Sequence, residues 1–177
     1  MVEKKQVFII DSSAIFSGKP LSFIKDMFVT TSKIYDEFKP GGRDYRNFQL
    51  LIDKGLRIID PSKSSINSLL NKIRLFGEEK RLSDADISIL ALAYEYQKLG
   101  DLKPIIVTDD YSIQNVANHL EMTIQTMNQK PITKRFKWER RCRGCRKKII
   151  DDVDVCPICG SSIKHVIKKS SPVKKQK

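Results

Sequence analysis

Residues 7–13 are VFIIDSS, four apolar residues followed by an aspartate and two serines. A short, continuous apolar run rich in β-branched residues favours a strand buried on both faces of a sheet. Further strands are predicted at 28–30, 56–59, 105–107 and 122–126. Because helical patterns lie between these strands, the sequence predicts an α/β fold, a parallel sheet with helices on both faces.

The helical patterns cover 21–27, 31–38, 43–54, 62–79, 83–99 and 112–120. Ser83 is a candidate N-cap for the longest helix, and Thr31 or Ser32 for an earlier one. The chain contains neither a G-x-G-x-x-G motif nor a Walker A loop. A nucleotide-binding fold of either kind therefore lacks support.

Acidic residues follow the predicted strands. Asp11 comes after the first strand, and Asp109 and Asp110 come after the fourth. Because ligands of open parallel sheets sit beyond the carboxyl ends of the strands, these acids are expected at one edge. Glu37, on the helix after the second strand, and Asp84 and Asp86, at the start of the long helix, are further candidates. Oxygen ligands without His or Cys suit Mg²⁺ or Mn²⁺.

Each acid also has a purely structural explanation. Asp11 and Asp110 could cap the helices that follow them, and Asp86 would lie in a first turn capped by Ser83, where the helix dipole favours an anion. Glu37 could be a solvated surface carboxylate. The sequence pattern alone leaves both explanations open.

Four cysteines form two pairs near the C-terminus, in the pattern C-x2-C-x10-C-x2-C. They are Cys142, Cys145, Cys156 and Cys159. This spacing is typical of a closed, tetrahedral, structural Zn²⁺ site, and one zinc ion is expected. Two disulfides or four buried thiols are the alternatives. His119 and His165 are expected to be packing or surface residues, since four thiolates complete the site.

Residues 130–177 contain 16 Lys and Arg against 4 Asp and Glu, so the net charge of +12 lies in this quarter of the chain. A clustered basic region indicates contact with nucleic acid. The candidate RNA-binding residues are Lys134, Arg135, Lys137, Trp138, Arg140, Arg141, Arg143, Arg146, Lys147 and Lys148. Phe136 or Trp138 could stack on unpaired bases. Alternatively, the region is a solvated linker whose two aromatic residues pack on the cysteine module.

The predicted domain organisation follows from these features. We expect an α/β domain at 1–127, a basic linker at 128–139, a zinc ribbon at 140–166 and a disordered basic tail at 167–177. The N-terminal apolar run is too short for a signal peptide, and no stretch approaches the length of a membrane span. A cytoplasmic protein without a membrane partner is therefore expected.

Residues 7–126 resemble the PIN-domain nucleases. VFIIDSS matches the opening strand and first acid of that family, with Asp11 at the acid position, and Glu37 fits its second acid. LSDADISILA (82–91) resembles its central helix motif, with Asp86 at the acid position. IVTDD (106–110) fits its last acidic motif, with Asp110 at the usual position. Asp84 and Asp109 are additional acids.

The order of PIN domain, basic linker and four-cysteine ribbon, with TDDYSIQNVA and FKWERRCRGC, is similar to the Nin-one-binding endonucleases of the small ribosomal subunit in their short archaeal form. The resemblance implies metal-dependent cleavage of small-subunit precursor rRNA at the mature 3′ end, with assembly-factor proteins as further partners. Ser13 and Thr108 are candidates for orienting ligands or phosphate. A non-catalytic RNA-binding assembly factor is the alternative, and a toxin-like PIN nuclease is disfavoured by the ribbon.

Overall fold

The computed structural model describes residues 5–18 and 27–173. Five parallel strands form its larger sheet. They are β1 (Gln6–Ile10), β2 (Met27–Thr30), β3 (Arg57–Ile58), β4 (Lys103–Val107) and β5 (Thr123–Gln125). Their order across the sheet is β3-β2-β1-β4-β5, which places β1 in the centre. All five strands were predicted from the sequence.

Helices flank this sheet and confirm the predicted α/β class. They are α1 (Ser12–Phe16), α2 (Ser32–Tyr35), α3 (Arg43–Asp53), α4 (Lys63–Ile73), α5 (Asp84–Leu99) and α6 (Tyr111–His119). The helix predicted over 62–79 ends at Ile73, because two 3-10 turns, Arg74–Phe76 and Glu79–Arg81, replace its last part. The helix predicted over 21–27 lies outside the described residues except for Met27, which begins β2. The bounds of the short helix α1 were not predicted, although Asp11 was considered as the cap of a helix after the first strand.

The core of this α/β unit lies between the central strands and α5. Val7, Ile9 and Ile10 of β1 are completely buried, as are Ile89 and Leu90 of α5. A helix with buried residues on most of its circumference belongs to the interior rather than the surface. The hydroxyl of Ser88 lies 2.6 Å from that of Thr31, which ties the first part of α5 to the end of β2.

A second sheet contains three antiparallel strands, β6 (Lys134–Cys142), β7 (Lys148–Ile149) and β8 (Ile163–Pro172), in the order β7-β6-β8. We call residues 134–173 the C-terminal unit. The register of β6 and β8 runs from the pair Cys142–Ile163 to the pair Lys134–Pro172, with a bulge at Lys137–Trp138.

This second sheet corrects two expectations about local structure. Residues 134–139 are not an irregular linker, and residues 167–172 are not disordered, because β6 and β8 pair over these stretches. Backbone hydrogen bonds between the two strands order segments whose high charge alone suggests disorder. The predicted domain boundaries themselves stay a prediction.

None of the helices within residues 5–18 and 27–173 is both long enough and apolar enough to cross a lipid bilayer.

Candidate active site and nucleic-acid interface

The strand register brings Asp11 and Thr108 together. Ile10 pairs with Val107 at the carboxyl ends of β1 and β4, and the backbone N–H of Asp11 donates to the Val107 carbonyl at 3.1 Å. The next residue on each strand therefore lies at the same edge of the sheet. This is the position expected for a ligand site in an open parallel sheet.

Asp11 is held in place by hydroxyl groups. Its Oδ2 accepts hydrogen bonds from Ser13 Oγ at 2.6 Å and from Thr108 Oγ1 at 2.7 Å. Although Asp11 is the N-cap residue of α1, its side chain makes no capping bond, so the capping explanation fails for this residue. Ser13 and Thr108 also accept the backbone N–H groups of Asp109 and Asp110, respectively. The expectation that these hydroxyls orient an acid therefore agrees with their contacts.

Asp86 and Asp110 do cap helices. Asp86 Oδ2 accepts the Ser83 backbone N–H at 2.8 Å and completes a capping box at the start of α5. Asp110 Oδ1 accepts the N–H groups of Ser112 and Ile113 at the start of α6. Capping and metal binding are compatible, because each of these carboxylates uses one oxygen for the cap.

The three aspartates influence one another electrostatically. Burial raises the pKa of Asp11, hydrogen bonds from Ser13, Thr108 and the Ser12 backbone oppose this shift, and the charge of Asp110 raises the pKa further. Burial also raises the pKa of Asp86, and the charges of Asp110 and Asp11 add to it. Like charges so placed disfavour full ionisation, and a bound cation would relieve their repulsion.

The remaining predicted acids differ from these three. Glu37 is exposed in the turn after α2, and it is not among the principal charges that raise the pKa of Asp11 or Asp86. Asp84 is exposed in the first turn of α5. Asp109 is buried, and its carboxylate accepts the backbone N–H groups of residues 127–129 at 2.8–3.3 Å. Asp109 therefore holds residues 127–129, which follow β5, in place.

The spacing of the acids limits how they could bind a metal. Among the described residues, no three carboxylates bring oxygens within 4.8 Å of one another, whereas the four cysteine sulfurs do. A hydrated ion fits this wider spacing, because Mg²⁺ usually keeps several waters and takes only one or two carboxylates directly.

The four cysteines converge as their spacing predicted. The Sγ atoms of Cys142 and Cys159 are 3.3 Å apart, and those of Cys145 and Cys156 are 3.7 Å apart. All four are free thiols, which argues against the disulfide alternative. Hydrogen bonds from Ser161 lower the pKa of Cys159 to about 5. Although a backbone hydrogen bond from Lys147 opposes the shift, burial and the neighbouring thiols raise the pKa of Cys145 to about 11. The thiolate is therefore favoured at Cys159, and a bound metal would favour it at the other three positions. The set could hold one metal ion.

The predicted RNA-binding residues fall into two groups. The first group is exposed, and its members are Lys134, Arg141, Arg143, Arg146, Lys147 and Lys148. The second group makes contacts within the protein. Arg135 donates to the Asn118 carbonyl at 3.1 Å, Arg140 donates to the Asp151 carbonyl at 2.8 Å, and Lys137 lies over the ring of Phe76.

The contacts between α6, residues 74–81 and β6 form what we call the interunit surface. The Arg81 guanidinium lies 4.0 Å from the centre of the Trp138 ring, and His119 Nε2 lies 2.8 Å from the Phe136 carbonyl oxygen. The His119 ring stacks on Phe76, and burial lowers its pKa. His119 is therefore a packing residue, as predicted, whereas Trp138 packs on the α/β unit rather than on the cysteines.

Sequence reasoning missed several cations and contacts. Lys164, Lys168 and Lys169 are exposed on β8 and add to the basic surface. Their position within the basic residues 130–177 could have identified them as candidates for RNA binding. Glu78 and Asn115 contact each other and the C-terminal unit, but nothing in the sequence pattern distinguished them.

A family model described as the PIN domain of ribonuclease matches residues 8–96, the segment that contains Asp11, Glu37 and Asp86. Endoribonuclease Nob1 of Archaeoglobus fulgidus is 36% identical over 88% of this chain and 88% of its own length. The chain belongs to the Nob1 family of PIN-domain endoribonucleases. Endoribonuclease Nob1 of Pyrococcus abyssi is 34% identical over 92% of this chain and 94% of its own length.

A further relative carries a different name. Ribonuclease VapC1 of Thermoplasma acidophilum is 35% identical over 96% of this chain and 83% of its own length, so its match includes both units. These family relationships make the chain an endoribonuclease, and they do not favour the alternative of a non-catalytic RNA-binding factor.

Proposed function

We propose that this endoribonuclease hydrolyses precursor small-subunit rRNA at the mature 3′ end during ribosome biogenesis, in the cytoplasm. The observation that supports the proposal is the placement of Asp11 and Asp110 just after the paired strands β1 and β4, where their charges, in addition to burial, raise the pKa of Asp86 at the start of α5. The resemblance of the whole chain to Nin-one-binding endonucleases supports the choice of substrate.

In this proposal, Asp11, Asp86 and Asp110, with Glu37 as an outer ligand, hold Mg²⁺ or Mn²⁺ directly or through water. The ion supplies an activated water and neutralises charge on the scissile phosphate. Ser13 and Thr108 fix the orientation of the Asp11 carboxylate through two short hydrogen bonds. The caps made by Asp86 and Asp110 fix the other two carboxylates relative to α5 and α6.

The C-terminal unit would hold the RNA. We propose that its four cysteines bind one structural Zn²⁺ and that the exposed cations of the unit contact phosphates. Phosphate contacts position a nucleic acid without selecting its sequence. The unit would therefore orient structured precursor RNA while the acids carry out the chemistry.

The experiment is cleavage of an RNA that spans the mature 3′ end of the small-subunit rRNA, compared with an unrelated RNA of equal length. The proposal predicts divalent-dependent cleavage at one position in the first RNA and much slower cleavage of the second. Equal cleavage of both RNAs would contradict the proposed substrate, and a lack of cleavage with bound RNA would contradict the catalytic assignment.

A further inference from the structure

The loop between β5 and β6 is anchored on both sides of Lys130. Before Lys130, the buried carboxylate of Asp109 accepts the backbone N–H groups of residues 127–129 at 2.8–3.3 Å. After it, Oε1 of Gln114, a completely buried side chain of α6, accepts the backbone N–H of Ile132 at 3.0 Å. Because backbone groups of the loop are bonded to buried side chains, the position of the Lys130 backbone is restricted.

The Lys130 side chain shares a cavity with the residues that follow Asp110. This cavity of about 460 Å³ lies at the interunit surface, between the first turn of α6, Glu78 and β6. Lys130 lines it together with Tyr111 and Ser112, the two residues directly after Asp110 in the chain. A lysine carries its charge on a flexible four-carbon stem. The ammonium group of Lys130 can therefore reach a ligand that is bound next to Asp110.

Lys130 is exposed and its charge is available to a ligand. Among the residues that the structure describes, it forms no ion pair with a carboxylate. The two cations that come just before α5 differ from it, because Lys80 pairs with Asp152 and the Arg81 guanidinium lies over the Trp138 ring. Those two cations hold the units together, whereas Lys130 has no such contact.

We propose that Lys130 is a substrate-binding residue and that its ammonium group contacts a phosphate next to the cleaved bond. The inference rests on the proposed function, because it takes Asp11, Asp86 and Asp110 as the cleavage site. A divalent ion held there neutralises charge on the scissile phosphate. The phosphates on either side remain negative beside these acids, and a lysine ammonium is a compact point charge that binds phosphate.

The test combines a protein variant with a modified RNA. Full-length wild type and Lys130→Gln cleave a synthetic RNA that spans the mature 3′ end, and two copies in which the phosphate on one or the other side of the cleaved bond is an uncharged methylphosphonate. We expect Lys130→Gln to lower kcat/KM on the unmodified RNA about tenfold, as for loss of one charge-assisted contact. One methylphosphonate should lower wild-type kcat/KM by a similar factor without lowering that of Lys130→Gln further, because both changes remove the same contact.

Two further variants assign the effect to the charge and its position. Lys130→Arg keeps a cation at the same place and should stay within about threefold of wild-type kcat/KM. Lys103→Gln is the matched control, because Lys103 is exposed at the amino end of β4, the end opposite the acids, and it should leave kcat/KM unchanged. The Lys130 side chain is exposed and the loop is anchored through backbone groups, so Lys130→Gln should fold normally, which thermal unfolding checks.

An unchanged kcat/KM for folded Lys130→Gln would overturn the inference. So would methylphosphonates that lower kcat/KM equally in wild type and Lys130→Gln, since the lysine would then contact neither neighbouring phosphate. Both results leave wild-type cleavage intact and therefore overturn this inference alone. A wild type that cleaves no RNA would instead contradict the proposed function, and this inference with it.

Discussion

The side-chain amide of Asn115 binds both backbone groups of Phe136. Phe136 N–H donates to Asn115 Oδ1 at 2.7 Å, and Asn115 Nδ2 donates to the Phe136 carbonyl at 2.9 Å. The asparagine thus makes the two backbone hydrogen bonds to Phe136 that a neighbouring strand would make, although it lies on α6. This contact fixes the C-terminal unit on α6, the helix that begins directly after Asp110.

Replacing Asn115 with alanine should therefore destabilise the protein. The change leaves the Phe136 N–H without a partner, leaves His119 as the remaining partner of the Phe136 carbonyl, and removes the donor to Glu78. We therefore expect a loss of about 2 kcal/mol in the free energy of unfolding. Urea unfolding followed by Trp138 fluorescence measures it. Asn71→Ala, at an exposed site on α4, is the matched control. Equal effects of the two substitutions would contradict the role of Asn115.

Gly77 lies against Trp138 so closely that any side chain would clash. A Cβ at Gly77 would lie 2.4 Å from the Trp138 carbonyl oxygen, and the residue has φ +73°. Gly77→Ala should displace β6 and reduce stability by more than the roughly 1–2 kcal/mol of left-handed backbone strain alone. Gly41→Ala is the control for strain, because Gly41 has φ +87° with nothing within 4 Å. Similar losses in the two variants would show that the close contact has no energetic consequence.

Metal removal should affect the two units differently. We expect one Zn²⁺ per chain by elemental analysis of freshly purified, reduced protein. Chelation should abolish hydrogen-exchange protection around Cys142 and Ile163, because the small cluster of residues around the cysteines depends on the ion for its stability. The five-stranded sheet should keep its protection, since it has its own core. Absence of zinc, or simultaneous loss of both sheets, would contradict this prediction.

RNA binding should weaken steeply with salt. Each phosphate neutralised on a single strand contributes about −0.7 to the slope of log K against log salt. Replacing Arg143, Arg146, Lys147 and Lys148 with glutamine should therefore flatten the slope by up to roughly 3, if each cation contacts one phosphate. The control replaces four exposed cations of the α/β unit, Arg46, Lys54, Arg57 and Lys63. A larger change in the control would place the RNA surface on that unit.

The sequence was sufficient to predict the strands and most helices of the α/β unit, because the patterns that indicate them are local. Four-residue apolar runs such as Val7–Ile10 and helical spacings such as that of residues 83–99 predict elements without knowledge of distant contacts. The convergence of Asp11 and Asp110 followed from one topological rule of parallel sheets. That Asp11 binds hydroxyls rather than capping α1 depends on Thr108, a residue 97 positions away.

The C-terminal strands were missed because their pairing is non-local and their charge resembles that of a solvated segment. Phe136, Trp138 and Cys142 occupy alternating positions of β6, and this period of two was a usable signal beneath the basic residues. The docking by Asn115 and the cavity beside Glu78 had no such signal, since single polar residues reveal their partners only in three dimensions.

The central claim is that carboxylate-held metal ions hydrolyse RNA at the edge formed by Asp11, Asp86 and Asp110. The most direct measurement is end analysis of products from a precursor fragment cleaved with and without Mg²⁺ or Mn²⁺, using wild type, Asp11→Asn and the exposed control Asp53→Asn. We predict divalent-dependent products with 5′-phosphate and 3′-hydroxyl ends, with cleavage reduced about 100-fold or more in Asp11→Asn at unchanged RNA affinity. Ends bearing 2′,3′-cyclic phosphate, or retained cleavage by folded Asp11→Asn protein, would contradict the account.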